Sequence, residues 1–382
     1  MAQTLRILTA AAFAAPLLLL AQSIQTNSLL PDWLPTELPA GASYAGSRQC
    51  VRCHSEQAAA LATPMGDALQ TASQSEFLRG REKLTFANGP YRYEITRTPE
   101  GSLYTVTNSA DGGETISTPI LWSLGHGKAG QTYVLEHDGH LYESRVSYYV
   151  RIDGLEQTLG APPGDIPRNL DEALGRRMTP DDIRGCFGCH STGAVRAGQM
   201  EITGLTPGLQ CEGCHGPGTS HIEAVAKGRF DDLQIHALKD MTAESQSDFC
   251  GSCHRTWSQV MLMDLQGPAN VRFQPYRIAN SRCYDADDPR IRCTACHDPH
   301  QAVVTDAKSY DAKCLTCHAS ADGSTEHVTT AEVSAAKDAP ACPVAKERCS
   351  SCHMPRVEIP GAYFEFADHQ IRVHRPDQPY PN

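Results

Sequence analysis

Seven times in this chain two cysteines stand three positions apart with a histidine directly after the second. The segments are Cys50/Cys53/His54, Cys186/Cys189/His190, Cys211/Cys214/His215, Cys250/Cys253/His254, Cys293/Cys296/His297, Cys314/Cys317/His318 and Cys349/Cys352/His353, numbered here as motifs one to seven. With 16 Cys and 16 His in 382 residues, chance placement gives about 0.03 such segments. The repeat therefore reports chemistry. Two thiols at this spacing reach the two vinyl groups of one porphyrin as thioethers, and the next imidazole meets the iron from below, so each motif is expected to hold one haem c. Zinc also takes Cys-x-x-Cys pairs, but zinc ribbons join two pairs in one site, need no His after each, and fit badly with an odd total. Dithiol redox catalysis needs one active motif, not seven.

Seven haems change what the chain can fold into. Each macrocycle is a large apolar plate, and the six motifs between Cys186 and His353 leave little apolar side chain per unit. The expected fold is a multihaem cytochrome c: mostly loops and short α-helices wrapped around stacked haems, with a small antiparallel β domain inserted after the first haem. Residues 1–23 read as a signal peptide, with Arg6, an apolar run from Ile7 to Ala21 and a small-x-small site at Ala21-Gln22-Ser23. The alternative is an uncleaved membrane anchor; either way the body is expected to be periplasmic or extracellular. Residues 24–44, punctuated by Pro31, Pro35 and Pro39, form a linker, and 45–79 a first haem segment with helical propensity broken at Pro64. Residues 80–152 are the β unit: Tyr91–Ile95 and Leu103–Val106 alternate with period two, and Asp138-Gly139 marks a hairpin. Residues 153–382 make the six-haem domain, with helix starts at Thr179-Pro180 and Thr242.

Charge narrows the partners. A net charge of -11 and a pI near 5.8 argue against nucleic acid. A mean hydropathy of -0.38, with one apolar run at the start, argues against a polytopic membrane protein. The haem propionates add further negative charge, which suits docking to basic redox partner proteins and selects no particular donor or acceptor.

The second axial ligand decides whether an iron only passes electrons or also binds substrate. His126, His137, His140, His221, His236, His300, His327, His369 and His374 lie outside the motifs. His300 follows His297 by three residues, at most roughly 10 Å of chain, too short to round a porphyrin edge, so as a ligand it serves a neighbouring haem. His221, ten residues after Cys211, invites the same reading. His137 and His140 bracket the hairpin turn and read as solvent-facing. Seven candidates remain for seven irons: His126, His221, His236, His300, His327, His369 and His374. His126, between two glycines, is the first choice for the first haem, with Met65 a rival thioether ligand.

Three stretches carry a resemblance: Cys211-Glu-Gly-Cys-His-Gly-Pro-Gly-Thr-Ser-His221, Cys296-His-Asp-Pro-His300, and Cys352-His-Met-Pro355 followed by Asp368-His369. They resemble exported multihaem cytochromes c, in particular the tetrahaem family that serves hydroxylamine oxidation within the pentahaem nitrite reductase and hydroxylamine oxidoreductase superfamily. Leu124–Val134 and Tyr142–Tyr149 are similar to the β segment of such proteins, and the likeness runs through most of the chain from Ala45. It implies bis-His haems in close pairs, with His221, His300 and His369 as distal ligands. The chain departs from the nitrite reductases in having no Cys-x-x-Cys-Lys site, which puts their catalysis in doubt here. Cys283 and Cys342, outside the motifs, are expected to form a disulfide in an oxidising compartment.

Three functions follow. The leading one is extracytoplasmic electron transfer through seven haems, mostly bis-His ligated. A reductase or oxidase would need one open iron, the first haem being the expected place, acting on a small nitrogen or sulfur oxyanion. A self-associating cytochrome filament would use a residue such as His374 to reach a haem in the next chain.

Overall fold

The computed structural model describes residues 38, 40–110, 112–162, 164–197, 199–318, 344–375, 378, 380 and 381. The expected signal peptide, most of the linker, His327 and Cys342 lie outside these residues.

Residues 69–177 build a ten-stranded sheet in which every pairing is antiparallel. Its spine is a meander of β2 (Lys83–Asn88), β3 (Tyr91–Arg97), β4 (Ser102–Asn108), β5 (Glu114–Leu124), β6 (Gly130–His137) and β7 (His140–Ser144). β1 (Leu69–Thr71) pairs with β5, β8 (Val146–Tyr149) pairs with β6 and with β9 (Gly154–Gln157), and β10 (Gly175–Arg177) closes on β7. Alternation explains the long strands: Tyr91, Tyr93 and Ile95, then Tyr104 and Val106, are buried while their neighbours face outward. The β6–β7 turn is the one the sequence announces. Asp138 and Gly139 take φ of 48° and 73°, as a two-residue type I′ hairpin requires, and His137 pairs with His140 across it. A register shift between Ile120 and Trp122 bends β5, and the sheet curls into a half-barrel.

The expectation of a small β insert in a mostly helical and loop fold is thereby corrected. The sheet is large, and it recruits β1, β9 and β10 from outside residues 80–152. Strands of three or four residues are too short to show alternation, and these form by pairing with strands already in the sheet. Nor do macrocycles have to supply the whole interior. Tyr91, Tyr93, Tyr104, Tyr133, Leu135 and Tyr142 pack in a side-chain core on one face of the sheet, together with the helix Leu170–Leu174.

The opposite face meets motif two. Val134 lies between Tyr133 and Leu135 and so points the other way, where it clusters with Leu69, Met178 and Phe187. Phe187 is the second residue of motif two, and its ring meets Trp122 edge-on at 6.1 Å. The sheet thus seats motif two directly. Beyond it the chain forms short helices with two small apolar clusters, one around Val260, Phe273 and Tyr276 and one around Val271, Ile359 and Ala362. Among the described residues no helix is long and apolar enough to cross a membrane.

Candidate haem attachment sites

All seven motifs are helical turns. Motifs two, four and six end the helices Pro180–His190, Ala243–His254 and Asp311–His318, while motifs three, five and seven lie on Cys211–His215, Cys293–Cys296 and Cys349–His353. Motif one continues Ser47–Cys50 for one turn, the amides of Cys53 and His54 both bonding to the Cys50 carbonyl. Helical spacing puts the two thiols of each motif on one face, as attachment to one porphyrin edge requires. Thr179, with Pro180 behind it, caps the helix of motif two in a capping box with Asp182, and Thr242 caps that of motif four. Both starts were legible in the sequence.

The motifs touch one another through their cysteines. Close approaches bring together the thiols of Cys50 and Cys211, Cys189 and Cys253, Cys250 and Cys293, and Cys314 and Cys349. Cys214 acts electrostatically on Cys250 and Cys253, and Cys314 on Cys296. Burial pushes Cys186 and Cys214 up to about 11, and burial with the neighbouring Asp311 pushes Cys349 up to about 12. Among the described residues no three His, Cys, Asp or Glu side chains gather as a metal cage; the linked thiols lie two by two.

Side chains from one motif helix also hold the start of another. The buried Glu212 carboxylate, inside motif three, accepts from the amides of Ala45 and Gly46 at 2.7 and 2.8 Å, just before motif one, and from Gly218 at 2.7 Å. Gln246, on the helix of motif four, accepts from the Thr294 amide and hydroxyl in motif five at 2.9 and 3.1 Å. Asp311, opening the helix of motif six, accepts from the amides of Arg348 and Cys349 at 2.7 and 2.9 Å. Those amides, that of Cys349 first, hold its carboxyl below the usual carboxylate range.

Three histidine pairs bring their rings close together, at a separation that suits a metal between them. Ring centres are 6.4 Å apart for His54 and His221, 6.1 Å for His215 and His300, and 6.1 Å for His297 and His369. Two imidazole–metal bonds of about 2.0–2.1 Å, with the half-ring on each side, sum to roughly 6 Å. Nδ1 of His190, His215, His221, His353 and His369 meets a backbone carbonyl, of Ala68, His236, Leu233, Arg372 and Ala367 respectively, at 2.8–3.2 Å. A carbonyl only accepts, so Nδ1 donates and Nε2 of the neutral ring keeps its lone pair, the usual arrangement behind a metal-bound imidazole. His300 has its Nδ1 3.3 Å from the Asp298 carboxylate. Burial lowers His190, His215, His254 and His297, and lowers His369 to about 4, so these rings are neutral at pH 7.

His369 is fixed from every side. Arg277 donates two hydrogen bonds to the Asp368 carboxylate, at 2.8 and 3.0 Å, in a fully buried salt bridge. Arg277 also holds Gln370 at 2.6 Å, Arg372 holds Asp368 at 2.6 Å, and Ser281 donates to the His369 carbonyl at 3.1 Å. Nothing in the motif pattern pointed to Arg277, Glu212, Gln246 or Asp311.

The other candidates lie elsewhere. The ring facing His54 is that of His221. His126 has its Nε2 3.6 Å from Asp67 and a buried, unpartnered Nδ1. The exposed His236 lends its carbonyl to His215, and His374 is exposed. His137 and His140 sit at the hairpin tip, His140 against Arg177. Met65 is engaged through its backbone carbonyl, to Ala68 and Leu209. Cys283 is exposed, with Cys317 and Cys314 as electrostatic neighbours. Two thiols on one helical face with a carbonyl-oriented imidazole behind them is a donor set that fits covalent haem. When bound, haem supplies one-electron redox chemistry, and the residues above would hold and orient it.

The family model described as "Cytochrome c554 and c-prime" matches residues 168–216, which contain motifs two and three. The multiheme cytochrome MtrA of Shewanella baltica (strain OS185) is 23% identical over 213 residues, 50% of this chain. The match spans 59% of that relative's length. No solved structure matches. The seven motifs, their orienting contacts and these two likenesses support a multihaem cytochrome of the c type.

Proposed function

We propose that this chain carries electrons outside the cytoplasm through seven covalently attached c-type haems, most of them ligated by two histidines. The observation that carries the reading is continuity. Motif one meets motif three through Cys50 and Cys211, motif three neighbours motif four through Cys214, and motif four meets both motif two and motif five. Motif five neighbours motif six through Cys296 and Cys314, and motif six meets motif seven. Haems on such a series have no isolated member. The facing pairs His54/His221, His215/His300 and His297/His369 support two protein ligands for the haems of motifs one, three and five. The apolar run from Ile7 supports export, and the acidic balance supports docking to basic redox partners.

Electron paramagnetic resonance of the oxidised holoprotein before and after adding cyanide or nitrite, together with optical spectra of the reduced holoprotein before and after adding carbon monoxide, tests the reading. Low-spin signals throughout and no response to added ligand are expected. A high-spin haem that binds any of the three contradicts a pure carrier and favours a reductase or oxidase.

A further inference from the structure

The helices of motifs one, five and seven share a deficiency. Each has only four or five residues, and none makes a capping bond from its own N-cap side chain, at Gly46, Arg292 or Arg348. Helices this short are not stable alone, and their first amides have no partner within the helix. In each case a side chain on another motif's helix accepts the hydrogen bonds at or beside that start: Glu212 from motif three, Gln246 from motif four and Asp311 from motif six. The same three combinations bring the first cysteines of both motifs into contact, as Cys50/Cys211, Cys250/Cys293 and Cys314/Cys349. Motifs two and four instead have threonine caps on their own helices and meet through their second cysteines, Cys189 and Cys253.

We propose that Glu212, Gln246 and Asp311 are positioning residues that set haem pairs: each belongs to the helix of one haem motif, holds the start of another, and so fixes the distance and tilt between the two haems. This rests on the conducting role proposed above and divides that conductor into three cross-held pairs, one/three, four/five and six/seven, with motif two attached through four. The caps stand close to the attachment points. Glu212 adjoins Cys211, Thr294 adjoins Cys293, and Asp311 bonds the amide of Cys349 itself. A displaced cap therefore moves a thioether anchor.

The test uses the full holoprotein with Glu212→Leu, Gln246→Leu or Asp311→Ala, reading haem content by mass and haem–haem coupling by exchange-broadened paramagnetic signals and stepwise redox titration. Each variant is expected to lose the coupling of its own pair while the other two pairs stay as in the wild type. Gln246→Glu, which keeps an acceptor at the same reach, is expected to restore the pattern that Gln246→Leu loses. Wild-type coupling in all three variants overturns the proposal, as does a fall in haem content that leaves the coupling of the retained haems unchanged. Uncoupled haems in the wild-type protein would instead overturn the conducting role on which the proposal rests.

Discussion

Arg277→Leu is expected to destabilise the fold by about 3–5 kcal/mol, because it leaves Asp368 charged and buried without its partner. Both side chains have no exposure to solvent, and the bond between them is twofold. Arg277 also reaches the Asn270 side chain at 3.2 Å and the Pro381 carbonyl at 2.8 Å, so one substitution unfastens the C-terminal segment at several points. The variant's denaturation midpoint, followed in the haem absorption, checks the loss, and the double variant Arg277→Leu/Asp368→Leu is expected to recover part of it. Acid acts on the same pair. Burial alone would raise Asp368, but Arg277, the Gln370 amide and Arg372 hold it below the usual carboxylate range. A lowered folded-state value means the contribution is fully present above about pH 4 and is lost as pH falls through that lowered value.

His369→Ala is expected to turn one haem from low spin to high spin and open it to carbon monoxide, with the remaining haems unchanged. His369 is half-buried, lies with its ring centre 6.1 Å from that of His297, and has its Nδ1 3.0 Å from the Ala367 carbonyl. On the proposed ligation, loss of this ring would free one axial position for water or an added ligand. His137→Ala provides the control. At the hairpin tip it is expected to leave every haem signal as it was, since its neighbours are Asp138 and Tyr142. Optical spectra of the reduced proteins under carbon monoxide separate the two. An unresponsive His369→Ala protein would remove this residue from the ligand set.

The two variants draw on one network, which the sequence disclosed only in part. The Cys-x-x-Cys-His spacing is local, so seven candidate attachment turns could be read from seven short patterns. Asp138-Gly139 and the starts at Thr179 and Thr242 were equally legible, because a positive φ or a cap is decided by one or two residues. His221, His300 and His369, singled out through the resemblance, are the rings that face proximal imidazoles in the structure. What stayed hidden depends on tertiary pairing. The strands at Leu69–Thr71, Gly154–Gln157 and Gly175–Arg177 exist because neighbouring strands of the sheet offer them edges to pair with. Phe187 reads as a variable position inside motif two, yet it fastens that motif to the sheet. Glu212 reads the same way in motif three, and its three amide partners come from segments on either side of it. Motif one is the most remote motif in sequence, yet Cys50 lies against Cys211, so its neighbour is motif three.

Intact-mass measurement of the purified, exported protein, paired with pyridine haemochrome absorbance, bears on the central claim most directly. The account predicts a red protein heavier than its processed polypeptide by seven covalently bound haems. A colourless protein, or one whose mass is that of the polypeptide alone, would contradict it.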